Sequence, residues 1–153
     1  IQVIVEYAHT PDALQNSLQA LREHSTGRLW CVFGCGGDRD KTKRPAMGAL
    51  VERHSDYSIV TNDSPRSEDQ AQIAADIVRG MDNPSNCLVI ADRAQAIDLA
   101  VQQARAGDTV LIAGKGHEDY QLFADKTVHF SDVEQAHQSL RRRLDKQHQE
   151  ALP

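Results

Sequence analysis

The chain is 153 residues long, 40% hydrophobic and 25% charged, with a formal net charge of −5. That length suits one domain burying roughly two thirds of its unfolded surface, and the composition is that of an ordinary globular protein. No apolar run approaches the ~20 residues of a membrane helix, and the acidic balance argues against a nucleic-acid surface, which needs clustered Lys and Arg in excess. A cytoplasmic protein with no nucleic-acid partner and no membrane span is expected. Cys31, Cys35 and Cys87 form no CxxC pair and no zinc spacing, which predicts reduced thiols, with Cys31 and Cys87 serving as small buried hydrophobes. There is no charged-then-apolar leader, and the opening at Ile1 predicts a piece of a longer protein.

In chain order, residues 3–5 form the first β-type run, and Thr10 with Pro11 marks the start of a helix carrying Leu14, Leu18 and Leu21 on one face. Residues 29–33 and 57–60 are the second and third runs. Ser67 with Gln70 resembles a capping box ahead of a helix with Ile73, Ile77 and Met81. The fourth run, 88–90, precedes a helix bearing Ile97, Val101 and Ala104, and the fifth is 109–113. Two short runs between 120 and 130 flank Ala124, Asp125 and Lys126, which predicts a small hairpin. Ser131 with Glu134 repeats the box before a last helix with Val133, Ala136, Leu140 and Leu144. Residues 1–144 are thus one domain, and 145–153 a polar, frayed tail. Apolar strands separated by helices imply an α/β, Rossmann-like fold: a mainly parallel sheet with helices on both faces, and a small hairpin near the C-terminus.

In such sheets ligands bind beyond the carboxyl ends of the strands, so the informative loops are 6–12, 34–40, 61–66 and 114–119. Together they place cations, anions and glycines on one edge, as a zwitterionic amino acid or a phosphate requires. Gly34-x-Gly36 is followed by Arg39 where a dinucleotide fingerprint needs its third glycine. No GxxxxGK[ST] loop exists either, so this chain alone does not cradle ATP in the usual way. Arg39 and Arg66 each carry a planar fork suited to a bidentate carboxylate, and Glu118 is the complementary anion for an ammonium. His9 and His117 either touch a nucleotide or phosphate or merely tie down their own loops.

At these loops the sequence resembles the C-terminal domain of the Mur ligases, most closely the diaminopimelate-adding branch: YAHTPD at 7–12, GCGGDRDxxKRP at 34–45, DSPR at 63–66 and GKGHEDYQ at 114–121. Four motifs in one order are specific where each alone is weak. The resemblance implies an ATP-dependent amide ligase. A central domain outside this chain would hold ATP, Mg2+ and the precursor UDP-MurNAc-L-Ala-D-Glu, whose carboxylate becomes an acyl phosphate attacked by the amine of meso-diaminopimelate. The present domain would close over that centre and be silent alone.

The resemblance further implies that Arg39, Asp63, Ser64, Pro65, Arg66, Gly114 and Glu118 surround meso-diaminopimelate, with Glu6 and His9 on the ATP side. Arg66 would select against lysine, whose terminal ammonium would face a like charge. Two residues depart from the pattern. Ser64 stands where the branch usually has asparagine, which predicts the loss of roughly 1 kcal/mol of ligand contact. Glu6 stands in place of aspartate, moving the carboxylate by about one bond. Alternatives are the corresponding domain of a lysine-adding Mur ligase or of folylpolyglutamate synthetase, or a non-catalytic amino-acid-binding module.

Overall fold

The computed structural model describes all residues, Ile1–Pro153. Strands β1 (Gln2–Glu6), β2 (Leu29–Phe33), β3 (Tyr57–Val60), β4 (Cys87–Val89) and β5 (Thr109–Ala113) pair entirely in parallel, in the order β1-β5-β2-β3-β4. Each lies within one residue of the run expected from sequence. Side chains alternate across a strand, so β2 sends Leu29, Cys31 and Phe33 to one core and Trp30 and Val32 to the other. β5 divides likewise, with Leu111 and Ala113 opposite Val110 and Ile112.

Helices α1 (Pro11–His24), α2 (Lys43–His54) and α3 (Gln70–Val78) cover the first face, and α4 (Arg93–Gln103) and α5 (Asp132–Glu150) the second. Leu14, Leu18, Met47, Ile77 and Ile97 are essentially inaccessible to solvent. Each such burial contributes roughly 1.5–3 kcal/mol, more than helix propensity supplies over the same turn. Strand β4 is the open edge, with Leu88 and Val89 about half exposed. Strands β6 (Tyr120–Leu122) and β7 (Thr127–His129) form the expected antiparallel hairpin. No helix is long and apolar enough to cross a membrane.

The helix starts follow the sequence in part. Thr10 Oγ1 accepts from Ala13 N at 3.3 Å with Pro11 in the first turn. Ser67, however, does not cap α3: Asp69 does, accepting from Ala71 N at 3.0 Å, while Ser67 Oγ is drawn away to Asp38 at 2.7 Å. Ser131 caps α5 through Glu134 N at 3.3 Å, but the Glu134 carboxylate turns to His129 Nε2 at 2.8 Å instead of closing the box. The buried stripe of α5 is Asp132, Ala136 and Ser139, whereas Val133 and Leu144 are exposed. The helix also continues through 145–150, where a frayed tail was expected. Lys, Gln and Glu lose little side-chain freedom in a helix, and Ala151 N closes the ladder on Gln147 O at 3.2 Å. All three thiols are free; Cys31 and Cys35 are buried and Cys87 partly so, and burial pushes the Cys35 thiol up to about 11.

One buried ion pair joins the two layers at the carboxyl edge. Arg93 and Asp132 are both sealed from solvent, with Nε to Oδ1 and Nη2 to Oδ2 at 2.8 Å each. Arg93 Nη1 also donates to Asn62 O at 3.1 Å and Nη2 to Ala113 O at 2.9 Å, so the guanidinium closes the ends of β3 and β5 against the starts of α4 and α5. Removing one partner strands the other as a buried charge. Asp132→Ala should therefore lower the unfolding free energy by about 3–5 kcal/mol in chemical denaturation. Asp98→Ala, which breaks the exposed pair with Arg142, should cost under about 1 kcal/mol. Equal losses for the two variants would show that Arg93 finds other support.

Candidate functional site

The parallel strands β1, β5, β2 and β3 end at one edge, so their exit loops, 7–10, 114–119, 34–42 and 61–69, gather there. The loops after β2 and β3 are joined as one unit. Gly37 N donates to Ser64 O and Arg66 Nη1 donates to Gly37 O, both at 2.9 Å. A Cβ on Gly37 would stand 1.8 Å from Pro65 O, so only glycine permits this approach. Pro65 is buried in that junction. Arg66 adopts a left-handed φ of 52°, held by Arg66 N donating to Leu122 O at 2.9 Å and by its bridge to Phe123. Such a conformation costs a non-glycine residue about 1 kcal/mol or more, so the surrounding contacts fix it.

At one end of the rim lie two guanidinium groups. Arg39 is exposed, with Nη1 on Asp38 O at 3.0 Å. Among the guanidinium nitrogens of Arg66 only Nη1 has protein acceptors, Gly37 O and Ser64 O, which leaves Nε and Nη2 open. Both side chains flank Gly36: a Cβ there would lie 2.9 Å from Arg66 Nη1 and 3.6 Å from Arg39 Cγ.

At the other end are two carboxylates. Asp63 Oδ2 is 2.9 Å from where a Cβ of Gly114 would stand, at a backbone φ of 113° that already requires glycine. Glu118 Oε2 lies 3.9 Å from Lys115 Nζ, a fully buried ammonium that also donates to Tyr120 O. Burial lowers the Lys115 pKa against the opposing pull of Asp63. The charge of Glu118 holds the Tyr7 phenol above its usual range, with burial adding to it.

Of the residues expected around a ligand, Arg39, Asp63, Arg66, Gly114 and Glu118 thus reach the same rim. Ser64 is a correction. Its side chain is 2% exposed, and Oγ accepts from Leu122 N at 3.1 Å, so the hydroxyl fastens the hairpin to the loop rather than facing a ligand. Gln121 Nε2 adds a second tie, to Asp63 O at 2.8 Å.

Glu6 and His9 sit at the end of β1. Glu6 O accepts from Gly114 N at 3.0 Å and from Gly116 N at 3.2 Å, while its Oε2 is buried without a donor. His9 is exposed, with Nδ1 3.0 Å from Tyr7 O. Tyr7 lies between two imidazoles, edge-on to His9 at 4.9 Å and stacked on His117 at 6.4 Å. A cleft of about 530 Å³ lies elsewhere, between α3 and the end of β4, lined by Val60, Ile73, Ala74 and Val89 with Glu68 and Asp69. It offers no cation to an amino acid's carboxylate, and none of the five rim residues lines it.

Sequence reasoning passed over Arg44, Glu68, Tyr7 and Lys115 as individuals. Arg44 is fully buried: Nη2 meets Glu68 Oε2 at 2.5 Å and Gly36 O at 3.2 Å, and Nη1 meets Asp76 Oδ2 at 3.0 Å. A signal existed, because Arg44 stands on the same helical stripe as Met47, Gly48 and Val51. An arginine on an apolar stripe demands an anion.

Residues 1–116 match the family profile described as Mur ligase, glutamate ligase domain. The chain is 54% identical over 140 residues to the UDP-N-acetylmuramoyl-L-alanyl-D-glutamate--2,6-diaminopimelate ligase of Synechocystis sp., covering 92% of this chain and 28% of that protein. It is 58% identical over 139 residues to the ligase of the same name from Coxiella burnetii, covering 91% and 28%. The chain therefore spans about 28% of the length of these curated relatives. A solved structure of a UDP-N-acetylmuramoyl-L-alanyl-D-glutamate--2,6-diaminopimelate ligase superposes with a TM-score of 0.87 at 44% identity, over 95% of this chain and 29% of the other. E. coli FolC in complex with ADP matches less closely, with a TM-score of 0.55 at 26% identity over 73% of this chain and 25% of the other.

Glu68 gives the rim a measurable acid limit. Hydrogen bonds from Arg44, then Lys41, hold its carboxyl at about 2 rather than the usual 4.5. The folded pKa lies below the unfolded one, so this contribution to stability is complete above about pH 4.5 and is lost as the pH falls toward 2. Acid unfolding of Glu68→Gln should accordingly show a shallower slope than the parent chain across that window. Parallel curves would mean that Glu68 keeps its proton equilibrium unchanged on folding.

Proposed function

The chain belongs to the Mur ligase family through its glutamate ligase domain, and from that premise we propose that it is the C-terminal, amino-acid-presenting domain of an ATP-dependent ligase that adds meso-diaminopimelate to UDP-MurNAc-L-Ala-D-Glu. The observation that carries the reading is the polarity of one rim, with the Arg39 and Arg66 forks at Gly36 and the Asp63 and Glu118 carboxylates at Gly114 and Lys115. An amino-acid head group needs that opposition: its carboxylate accepts from the open Nε and Nη2 of Arg66, and its ammonium donates to the carboxylates. Meso-diaminopimelate ends in a second such head, whereas lysine ends in a bare ammonium repelled by Arg66. The higher identity to diaminopimelate ligases than to FolC points the same way.

The residues at the end of β1 fit ATP as rim contacts. The Tyr7, His9 and His117 rings offer an aromatic surface, and Glu6, only partly buried, lies beside them. When bound, ATP supplies activation of the precursor's carboxylate; the residues of this chain orient the amine that attacks it. No three His, Cys, Asp or Glu side chains converge as metal ligands, and on this reading Mg2+ would be held with ATP by the central domain. Substrates of this kind, ATP and a nucleotide-linked precursor, put the reaction in the cytoplasm.

Two experiments test the reading. Titrating the isotopically labelled chain with meso-diaminopimelate at millimolar concentration should shift amides of residues 36–39, 63–66 and 114–118, and lysine should not. Equal shifts with both ligands would remove the selectivity argument, and none with either would remove the site. In the full-length ligase, Arg66→Ala should raise the KM for diaminopimelate by on the order of a hundredfold, a bidentate charged contact being worth about 3 kcal/mol. The KM for ATP should stay where it was. Unaltered diaminopimelate kinetics would refute the role of Arg66.

A further inference from the structure

We propose that Arg44 and Glu68 are positioning residues that set the spacing of the Arg39 and Arg66 forks, acting through the two loops that carry them. The inference rests on the amino-acid-binding reading of that rim. Neither its ligand residues nor its ATP side uses the KRP segment or the Ser67-Glu68 pair. Arg44 is sealed from solvent and so touches no ligand. Its guanidinium instead takes Gly36 O from the loop after β2, Glu68 from the loop after β3 and Asp76 from α3.

Glu68 returns the grip, accepting from Asp38 N at 2.7 Å and pairing with Lys41 Nζ at 3.0 Å. Asp38 closes the outer side by accepting from Ser67 Oγ at 2.7 Å and Ser67 N at 3.2 Å. The clamp therefore crosses between the loops in both directions. Asp38 adjoins Arg39, and Glu68 follows Arg66 by two residues.

Asp38 and Arg66 both have left-handed backbones, with φ of 54° and 52°. Such residues persist where neighbours over-determine them, as the crossing bonds do here. Buried ion pairs add little net stability compared with an apolar replacement, but they fix direction. Direction is what two forks need to hold one carboxylate, since hydrogen bonds weaken steeply away from linearity.

The test is a double-mutant cycle in the full-length ligase, with Glu68→Gln and Arg66→Ala alone and combined. Glu68→Gln keeps the shape, and Asp76 still pairs with Arg44. It should raise the KM for diaminopimelate by on the order of tenfold, with kcat and the KM for ATP changed by less than roughly twofold. In the Arg66→Ala background the same change should add well under tenfold, only the part acting through Arg39, because a positioning residue loses its effect with the group it positions.

A purely structural role gives a different pattern, in which the two effects multiply and the KM for ATP rises as well; that result overturns the proposal. Ser67→Ala, at the exposed end of the clamp, should show the same signature at smaller size, and it serves if Glu68→Gln does not fold. A strong Arg66→Ala effect beside silent Glu68→Gln and Ser67→Ala defeats the positioning role alone. A silent Arg66→Ala defeats the amino-acid reading, and the positioning role with it.

Discussion

Everything at the working edge of this domain stands on the buried pair of Arg93 and Asp132. Two charges are taken fully out of water, which costs several kcal/mol per ion unless every donor finds an acceptor. Here the carboxylate takes two of the guanidinium's hydrogen bonds, and the carbonyls of Asn62 and Ala113 take two more. Those carbonyls lie at the exits of β3 and β5, immediately before Asp63 and Gly114. The pair thereby fixes where the anionic end of the rim begins, while the start of α5 seals it from solvent.

Around that floor the loops divide the labour by charge. The loops after β2 and β3 share a backbone junction at Gly37 and Pro65 and present Arg39 and Arg66, with the Asp63 carboxylate turned to Gly114. The loop after β5 contributes Glu118 beside the buried Lys115. The hairpin is a brace: Leu122 N on Ser64 Oγ, Leu122 O on Arg66 N and Gln121 on Asp63 O leave residues 63–66 little freedom. Little side-chain and loop entropy then remains to be lost when a ligand binds. The candidate site is a rim rather than a cavity, and the cleft beside α3 lies apart from it. A rim suits the proposed role of presenting one reactant to a centre completed by another domain.

Local patterns made most of the fold legible. Alternating apolar residues, and leucines three and four apart, report which face of an element is buried whatever it packs against. The strands, the two-layer arrangement and the hairpin follow from that. The rim was legible too, because ligands of parallel sheets gather at strand exits and those exits carried arginines, carboxylates and glycines. The failures at serines and arginines share a cause. Ser67 and Ser64 both have hydroxyls that sequence assigns to the nearest task, a cap or a ligand, yet each is claimed by a partner 29 or 58 residues away. Arg44 and Arg93 sit on apolar helical stripes, which announces that each needs an anion, but not that the anions are Glu68 and Asp132, 24 and 39 residues on.

The sequence by itself determined the period of each element, the side it buries and the chemical character of each loop, since these depend on residues within a turn or two of one another. Tertiary structure alone decided the strand order, the joining of the Gly37 and Pro65 backbones, the left-handed turns at Asp38 and Arg66, and the partner of every buried charge. Those outcomes depend on distances between segments far apart in the chain. A buried ion selects its partner by which carboxylate the completed fold brings within about 3 Å.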